Sequence, residues 1–174
     1  MKKILLLGGS AQQVVAIETA KRLGYYTVLC DYLTDNPGQY VADKFYLIST
    51  TDKEAVLQVA QQEHIDGVLA YASDPAAPTA AYVAEQLGLA GNPYESVEIL
   101  CNKDRFRTFL KAHGFCTPEA KGYTDIHEAL ADIRNGAFQY PLIVKPVDSS
   151  GSKGVSQVNH FEEAEESLKR ALSY

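Results

Sequence analysis

The stretch Lys3–Ser10, with the sequence KILLLGGS, decides the fold of this chain. Its first five residues, Lys3–Leu7, form a short and bulky apolar run, which is typical of a strand covered on both faces. The two glycines and the serine predict a tight turn, in which Ser10 caps a helix that continues through Leu23 and ends at Gly24. A strand, a turn and a helix in this order predict an α/β domain.

The alternation of strands and helices continues along the first part of the chain. Further strands are predicted at Thr27–Asp31, Phe45–Ile48 and Asp66–Ala70. A capping box at Thr51–Glu54 opens one helix, and an alanine-rich helix is predicted at Ala76–Leu87. Strands and helices that alternate in this way predict a doubly wound parallel sheet.

The pattern changes after Gly91, so a first domain at 1–101 and a second unit at 102–174 are predicted. The elements expected in this later part are a helix from Asn92 to about Leu100, a helix with Phe106–His113 closed by Gly114, a strand at Ala120–Tyr123, a helix at Ile126–Arg134, strands at Leu142–Lys145 and Val155–Val158, and a helix from Phe161 onward.

The composition excludes several classes of protein. Of the 174 residues, 46% are apolar and 22% are charged, which is typical of a soluble globular protein. No apolar run approaches the roughly 20 residues of a membrane span, and the apolar run at the N-terminus is shorter than that of a signal peptide. The net charge of -6 argues against nucleic-acid binding. We therefore expect a cytoplasmic protein with no membrane and no nucleic acid as partner.

The three cysteines, Cys30, Cys101 and Cys116, are widely spaced and include no CxxC pair. An odd number without a close pair favours neither a disulfide framework nor a zinc site. The prediction is that they are small buried thiols in a reducing compartment.

The charge is unevenly distributed along the chain. Residues 1–102 carry 6 basic and 12 acidic side chains, for a net charge of -6. Residues 103–153 carry 8 basic and 6 acidic side chains, a net charge of +2, and residues 154–174 carry 2 basic and 4 acidic, a net charge of -2. An anionic ligand is therefore expected in the middle block.

The turn Gly8-Gly9-Ser10 is the first candidate site. It lies where a dinucleotide-binding fingerprint would lie, with Asp31 at the end of the next strand, but the third glycine of the G-x-G-x-x-G pattern is missing. Three interpretations stay open: a nicotinamide cofactor, a purely structural turn, or backbone amides that bind a substrate carboxylate or phosphate.

Ser73 and Asp74 follow the fourth predicted strand, where ligands of open α/β sheets usually lie. The alternative is a cap and a turn before the next helix. Together with the glycine turn, they complete the predicted substrate-binding set: Gly8, Gly9, Ser10, Asp31, Ser73 and Asp74.

A loop rich in glycine and serine is the second candidate site. It departs from a Walker A loop because its lysine precedes the glycine and a strand follows. Its closely spaced N–H and O–H donors can fold over a polyphosphate, although a solvated hairpin connection is the alternative. The loop consists of Ser149, Ser150, Gly151, Ser152, Lys153, Gly154 and Val155.

Two further lysines lie in the same positive block. Lys145 ends an apolar strand, where its ammonium needs an anion or water, and Pro146 holds it extended. Lys103 lies at the start of a helix that also carries Arg105, Arg107 and Lys111, for which a solvated face is the alternative. With the glycine-serine loop, these lysines predict a triphosphate site.

The ordered set of motifs resembles the ATP-grasp superfamily, in particular ligases like the large subunit of carbamoyl-phosphate synthase and like biotin carboxylase. The resemblance covers the whole chain. It is carried by the unit with Gly8-Gly9, by Asn102-Lys103-Asp104, by Ile143–Pro146, by Ser149–Val155, by Tyr71–Pro78 and by Gly91-Asn92-Pro93.

The resemblance implies a Rossmann-like pre-ATP-grasp domain at 1–101, followed at 102–174 by the first α+β subdomain of an ATP-grasp domain. It implies a ligase that uses ATP and Mg²⁺ to convert a small carboxylate into an acyl phosphate, which an amine or similar nucleophile then attacks. Lys103 and Lys145 would contact the nucleotide phosphates, with Lys145 also near the adenine, and Ser149–Val155 would close over the β- and γ-phosphates.

In that family the magnesium ligands and the catalytic arginine belong to the later half. The resemblance therefore implies an N-terminal fragment with no catalytic and no metal-binding residue of its own, inactive when alone. A Rossmann-like binding module without catalysis is the alternative. Apolar surface left uncovered on an incomplete domain makes a homodimer possible.

Overall fold

The computed structural model describes residues 1–174. These residues form two compact units. Unit 1 is Met1–Cys101 and unit 2 is Asn102–Tyr174. The elements of unit 1 are β1 (Lys3–Leu7), α1 (Val14–Arg22), β2 (Tyr26–Asp31), a 3-10 turn (Pro37–Tyr40), β3 (Lys44–Leu47), α2 (Lys53–Glu63), β4 (Gly67–Leu69), α3 (Ala77–Gln86) and α4 (Tyr94–Cys101).

The sheet of unit 1 is parallel throughout, with the strand order β3-β2-β1-β4. The chain moves outward from β1 to β3 and then crosses back to place β4 on the other side of β1. The order therefore reverses between β1 and β4, which makes this boundary the switch point of the sheet. The predicted doubly wound parallel sheet is confirmed.

Alternate residues of the central strands supply two cores, one on each face of the sheet. Leu5 and Val28 lie in a core on one face, where α2 and α3 contribute further buried residues. Leu6 and Leu29 point to the other face and pack with Ile17 of α1. Because both faces are covered, the strands read as continuous apolar runs rather than alternating ones.

Unit 2 is built around a short antiparallel pair of strands covered by two helices. Its core joins Ala129 and Ile133 with Val158, Ala164 and Leu168. The elements are α5 (Lys103–Ala112), α6 (Ile126–Arg134), β5 (Leu142–Val144), β6 (Ser156–Val158), a 3-10 turn (Phe161–Glu163) and α7 (Ala164–Leu172).

The strand predicted at Ala120–Tyr123 is absent from the structure. Side chains from elsewhere in unit 2 hold this segment instead of a strand partner. The N–H of Gly122 donates to Asp104 Oδ1 over 2.8 Å, and the hydroxyl of Tyr123 donates to Asp132 Oδ2 over 2.8 Å. No strand forms here because no neighbouring strand pairs with the segment, and alanine, lysine and glycine are themselves uncommon in strands.

Two predicted helix starts are wrong in detail. Ser10 caps no helix: α1 begins only at Val14, with Gln13 at its N-cap position. The helix after β3 is capped by Asp52, whose carboxylate accepts the N–H of Ala55, and not by a capping box centred on Thr51. A short turn of polar residues offers several possible caps, and tertiary contacts select among them.

Two smaller differences concern the thiols and the last helix. Cys30 is buried, Cys101 is half-buried and Cys116 is exposed, so the prediction of buried thiols holds only in part. The helix predicted from Phe161 begins as a 3-10 turn, and the α-helical part is α7. No helix is long and apolar enough to span a bilayer.

Candidate functional site

The loops that follow β1 and β4 meet at the switch point of unit 1, and the side chain of Gln13 joins them. Its Nε2 donates to the carbonyl of Leu7 over 3.3 Å and to the carbonyl of Tyr71 over 3.0 Å. Only 6% of Gln13 is exposed. The crevice at which open α/β sheets bind ligands is therefore bridged here by the chain's own amide.

The donors of the glycine turn are also used internally. The N–H of Gly9 donates to Asp31 Oδ2 over 2.6 Å, and both the N–H and the hydroxyl of Ser10 donate to Gln13 Oε1, over 3.0 and 2.8 Å. Gly8 has a φ of 99°, and a Cβ built there would lie 2.3 Å from Gln13 Nε2. A glycine is required at this position both by the backbone and by the space that Gln13 fills.

Asp31 gathers three donors around one buried carboxylate. Besides Gly9, the N–H of Leu33 donates to its Oδ1 over 2.9 Å and Asn36 Nδ2 donates to its Oδ2 over 2.8 Å. Only 3% of Asp31 is exposed. The carboxylate thus ties the loop after β2 to the glycine turn, and the binding of a substrate by Asp31 stays a prediction.

Ser73 and Asp74 lie in the turn before α3. The carbonyl of Asp74 accepts the N–H of Ala77 over 3.2 Å, while Ala76, at the N-cap position, supplies no side-chain cap. The turn predicted as an alternative for these residues is present, but neither side chain caps the helix. Their proposed contact with a substrate stays a prediction.

In unit 2 the start of α5 contacts the segment that follows β5. Asn102 caps the helix, as its carboxamide oxygen accepts the N–H groups of Asp104 and Arg105. The N–H of Lys103 then donates to the carbonyl of Val147 over 2.9 Å, and Lys103 Nζ donates to the carbonyl of Ser149 over 2.5 Å. Lys103 therefore fixes the entry to the glycine-serine loop.

Three cations converge beside this entry, and we call Lys103, Arg107 and Lys145 the cationic cluster. Arg107 lies one turn after Lys103 on the same face of α5, and Lys145 follows β5 directly. Although Lys145 is an exposed residue, partial burial of its ammonium, together with Arg107 and Lys103 nearby, holds its pKa below its usual range. Like charges brought together without an acidic partner favour an anion.

Lys103 Nζ donates to the carbonyls of Val147 and Ser149, and Arg107 and Lys145 have fewer contacts. Arg107 Nη1 donates to the hydroxyl of Thr117 over 3.3 Å, which leaves most donors of its guanidinium open. Lys145 takes part in none of the salt bridges of the chain. The sequence left Arg107 open between a solvated helix face and the positive block, and its i+4 spacing from Lys103 could have favoured this position.

The glycine-serine loop joins β5 to β6 and has an unusual backbone. Gly151, Ser152 and Gly154 all have positive φ, at 67°, 58° and 68°. The loop makes few bonds with itself: the hydroxyl of Ser149 donates to the carbonyl of Lys153 over 3.2 Å, and the N–H of Val155 donates to Ser152 over 3.4 Å. Its remaining N–H and O–H donors are available to a ligand.

Gly154 anchors the end of this loop. It is buried, and a Cβ built on it would lie 2.7 Å from the ring of Tyr174 and 2.8 Å from Pro146. Because Pro146 follows Lys145 directly, this contact holds the end of the loop beside the cationic cluster. Unit 2 thus holds Lys103, Lys145 and residues 149–155, which the sequence predicts as one triphosphate site, in one region of the structure. Phosphate binding there stays a prediction.

The donor set fits a polyphosphate but not a divalent metal. Three cations and a loop of N–H and O–H donors match the oxygen atoms of a nucleotide's phosphates. The structure contains no group of three or more His, Cys, Asp or Glu side chains able to hold a metal ion. No chemical step is therefore assigned to magnesium on these residues.

Curated relatives match this chain over nearly its whole length. No protein-family profile matches it. It is 32% identical over 173 residues to the formate-dependent phosphoribosylglycinamide formyltransferase of Synechococcus sp. (strain WH7803), covering 98% of this chain and 44% of the relative. It is 30% identical over 178 residues to the enzyme of the same name from Bacteroides thetaiotaomicron, covering 99% and 44%. The chain thus spans less than half the length of these relatives.

Solved structures also match nearly the whole of this chain. The L-amino acid ligase of Bacillus licheniformis superposes with a TM-score of 0.74 and 27% identity, over 97% of this chain and 42% of the ligase. The biotin carboxylase domain of the Hydrogenobacter thermophilus 2-oxoglutarate carboxylase superposes with a TM-score of 0.69 and 23% identity, over 99% and 41%, which supports the fold alone.

The fold is that of an α/β protein in which a doubly wound parallel sheet is followed by a second unit with an antiparallel strand pair and helices. The sequence and structure matches agree on the family: the chain is homologous to the N-terminal portion of ATP-grasp ligases. The resemblance drawn from the sequence is thereby confirmed.

Proposed function

We propose that unit 2 binds the phosphates of ATP as part of an ATP-dependent ligase that activates a carboxylate as an acyl phosphate. The single observation that carries this proposal is the cationic cluster beside an open donor loop. In phosphoryl transfer the protein mainly positions the phosphates and neutralises their charge. Lys103, Arg107 and Lys145 are suited to the second task, and residues 149–155 to the first.

Under this proposal, unit 1 is a pre-ATP-grasp domain and unit 2 is the first subdomain of an ATP-grasp domain. The relatives are named as formate-dependent enzymes, so we propose a small carboxylate of the size of formate as the substrate. Magnesium would accompany ATP, with ligands outside these 174 residues. A cytoplasmic location and a homodimer stay predictions.

The residues of this chain would act by binding and by excluding water. Lys103 would hold the loop entry through the Ser149 carbonyl and face the phosphates with its remaining N–H donors. Lys145 and Arg107 would offset the phosphate charge, and the ligand would in turn relieve the repulsion among the three cations. The loop would close over the terminal phosphates because its positive-φ residues leave it few internal bonds.

The test is a titration of the chain with ATP and with inorganic triphosphate, followed by amide chemical shifts. We expect shifts concentrated at residues 103–107 and 145–155, and a loss of about tenfold in affinity for Lys145→Ala, equivalent to about 1.4 kcal/mol. Lys169→Ala is the matched control, since Lys169 pairs with Glu165 away from the loop. Affinity within twofold of the unmodified chain in Lys145→Ala would falsify the assignment.

A second readout concerns turnover. The chain on its own is expected to release no phosphate from ATP, because no metal-holding group lies within it. Phosphate release above a blank, abolished by Lys145→Ala, would contradict this part of the proposal.

A binding module without catalysis is the second candidate function. Its site would be the switch point, formed by the loops after β1 and β4 with Gly8, Gly9, Ser10, Asp31, Ser73 and Asp74. The position of these loops at the strand-order reversal favours it, whereas the internal use of the Gly9 and Ser10 donors opposes it. Shifts confined to these loops on adding formate, phosphate or a nucleotide would favour this candidate over the first.

A further inference from the structure

A cavity of about 440 Å³ lies in unit 1 where the C-terminal ends of α2 and α3 meet. Its lining residues belong to the last turn of α2 or come just after one of the two helices: Ala60, Gln61, His64, Ile65, Leu87 and Leu89. An apolar cavity of ~150 Å³ already holds a benzene molecule. This cavity therefore has room for a small organic ligand.

The cavity lies at the opposite edge of the sheet from the switch point. A helix that connects two parallel strands runs back along the sheet, so it ends beside the strand beginnings. The contacts agree, because the N–H of Asp66, just after α2, donates over 2.8 Å to the carbonyl of Lys3, the first residue of β1. The cavity is therefore separate from the loops after β1 and β4, and it belongs to unit 1, whereas the glycine-serine loop belongs to unit 2.

Apolar side chains supply most of the lining, and the polar side chains have no partner within the chain. Ile65 is buried, and the two leucines are half-buried and pack against the core of unit 1. Gln61 and His64 are exposed, and their side chains form no hydrogen bond or ion pair with other residues. Apolar walls with a few free polar groups are typical of sites for small molecules.

The charge at the cavity favours a cation. The C-terminal end of a helix carries a partial negative charge, equivalent to roughly half an elementary charge. Neither α2 nor α3 has a basic residue in its last turn, whereas α1, α5, α6 and α7 each have at least one. No lysine, arginine or carboxylate side chain lines the cavity either. The two helix ends are therefore left for a ligand to offset.

His64 has a backbone conformation that favours glycine. It follows α2 with a φ of 52° and a ψ of 57°, in the left-handed region. Glycine is the usual residue at this position of a helix end, because it has no Cβ. A histidine there adds a ring nitrogen that can accept a hydrogen bond from an ammonium at the rim of the cavity.

We propose that this cavity binds an organic ammonium ion with an apolar body, of the class of the arylalkylamines. The apolar body lies against Ile65, Leu87 and Leu89. The ammonium donates to the imidazole of His64 and to the carboxamide oxygen of Gln61, and it offsets the negative ends of α2 and α3. The site goes beyond the proposed function and does not depend on the binding of ATP by unit 2.

Three probes with the same phenyl body and different head groups test the charge of the ligand. The cation 2-phenylethylammonium, the neutral 2-phenylethanol and the anion 3-phenylpropanoate are titrated separately into the chain, and amide chemical shifts are followed. We expect shifts at 60–65 and 86–89, with the ammonium bound about fivefold tighter than the alcohol and the carboxylate weakest. An ammonium that binds no tighter than the alcohol, or that shifts only other segments, overturns the proposal.

Gln61→Lys supplies the cation that the last turn of α2 lacks. We expect it to lower the affinity for 2-phenylethylammonium about tenfold, because the new ammonium occupies the same helix ends and repels the ligand. Gln62→Lys is the matched control, since it adds the same charge to the same turn but does not line the cavity. Its affinity should stay within about twofold, because water and salt screen an exposed charge. Equal losses in the two variants contradict a site in this cavity.

A third variant tests the imidazole without endangering the fold. His64→Gly removes the ring and keeps the left-handed backbone, so the variant is expected to fold and to lose about threefold in affinity for the ammonium probe. Unchanged affinity counts against the proposal.

A second copy of the chain is the alternative occupant of the cavity. Light scattering over a range of protein concentrations tests it beside the titrations. A dimer that Gln61→Lys dissociates, in a chain that 2-phenylethylammonium does not shift, overturns the ligand site in favour of self-association. None of these measurements involves ATP, so this site and the proposed function succeed or fail separately.

Discussion

The switch point of unit 1 and the cationic cluster of unit 2 treat their polar groups in opposite ways. At the switch point, Asp31 and Gln13 accept the donors of the glycine turn, and each buried polar atom has a partner within the chain. In the cluster, partial burial, and after it the charges of Arg107 and Lys103, lower the pKa of Lys145, and no carboxylate forms a salt bridge with it. Polar groups that are hydrogen-bonded within the chain stabilise the fold. Cations at the surface without an acidic partner remain accessible to water and to an anionic ligand.

The largest expected effect comes from removing a hydrogen-bond acceptor at the switch point, where the polar groups are paired within the chain. Asp31→Ala removes the acceptor of three donors, those of Gly9, Leu33 and Asn36. We expect a loss of about 3 kcal/mol in the free energy of unfolding, because buried donors are left without partners. Urea unfolding followed by circular dichroism measures it. Asp35→Ala, in the exposed part of the same loop, is the control and should cost under about 0.5 kcal/mol.

A second carboxylate of unit 1 extends the test to pH. Glu63, at the end of α2, is 5% exposed and accepts from Lys44 Nζ and the Tyr46 hydroxyl, each over 2.5 Å, and from Lys3 Nζ over 3.0 Å. Lys44 first, and then Tyr46 and Lys3, lower the pKa of Glu63 to about 2 from the ordinary value of 4.5. The resulting stability is therefore complete above pH 4.5 and is lost as the pH falls toward 2.

Glu63→Gln is expected to cost about 1 kcal/mol at pH 7, since it leaves the partly exposed Lys3 and Lys44 with a neutral acceptor. It should also flatten the fall in stability between pH 4.5 and 2. Thermal unfolding across this pH range measures both effects, with Glu18→Gln on the exposed face of α1 as the control. A variant whose stability still falls as steeply as that of the unmodified chain would show that other groups carry the acid sensitivity.

Substitutions in the cationic cluster are expected to weaken ligand binding rather than to destabilise the fold. Lys103→Ala removes one cation and the tie to the Ser149 carbonyl. We expect affinity for inorganic triphosphate to fall about tenfold, or about 1.4 kcal/mol, while the free energy of unfolding changes by less than about 1 kcal/mol. Calorimetry and urea unfolding measure the two quantities. Lys111→Ala, further along the same helix and paired with Glu119, is the control.

The smallest expected effect concerns two glycines of the glycine-serine loop, whose substitution tests how the loop is held. Gly151 and Gly154 both have positive φ, but only a Cβ on Gly154 would meet other atoms, those of Tyr174 and Pro146. Gly151→Ala should cost about 1 kcal/mol through backbone strain alone. Gly154→Ala should cost roughly 1 kcal/mol more through the added contact. Equal losses for the two variants in urea unfolding would mean that the anchor at Gly154 does not matter.

The fold of unit 1 could largely be predicted because its signals are local and periodic. Bulky runs such as Lys3–Leu7 and a turn such as Gly8-Gly9 specify a strand and its end without reference to distant residues. The segment Ala120–Tyr123 shows where this reasoning fails. Of its four residues only Tyr123 favours a strand, no other strand pairs with the segment, and the side chains of Asp104 and Asp132 hold it instead.

The candidate sites likewise contain some residues that could be predicted from the sequence and others that could not. Lys145 and the glycine-serine loop stand out in sequence because a lysine after an apolar strand and a run of glycines and serines are unusual. Arg107 did not stand out, since a cation on a helix is usually solvated. Gln13 did not stand out either, because its four hydrogen bonds reach residues as distant as Tyr71.

The sequence by itself determined the order of the elements, the change of pattern after Gly91 and the block of positive charge that predicts an anionic ligand. Only the tertiary structure decided which polar groups are satisfied. It filled the glycine turn with Gln13 and Asp31, and it left Lys103, Arg107 and Lys145 facing one another. The reason is physical: periodicity and composition act over neighbouring residues, whereas hydrogen bonds and charge repulsion depend on distances that only folding sets.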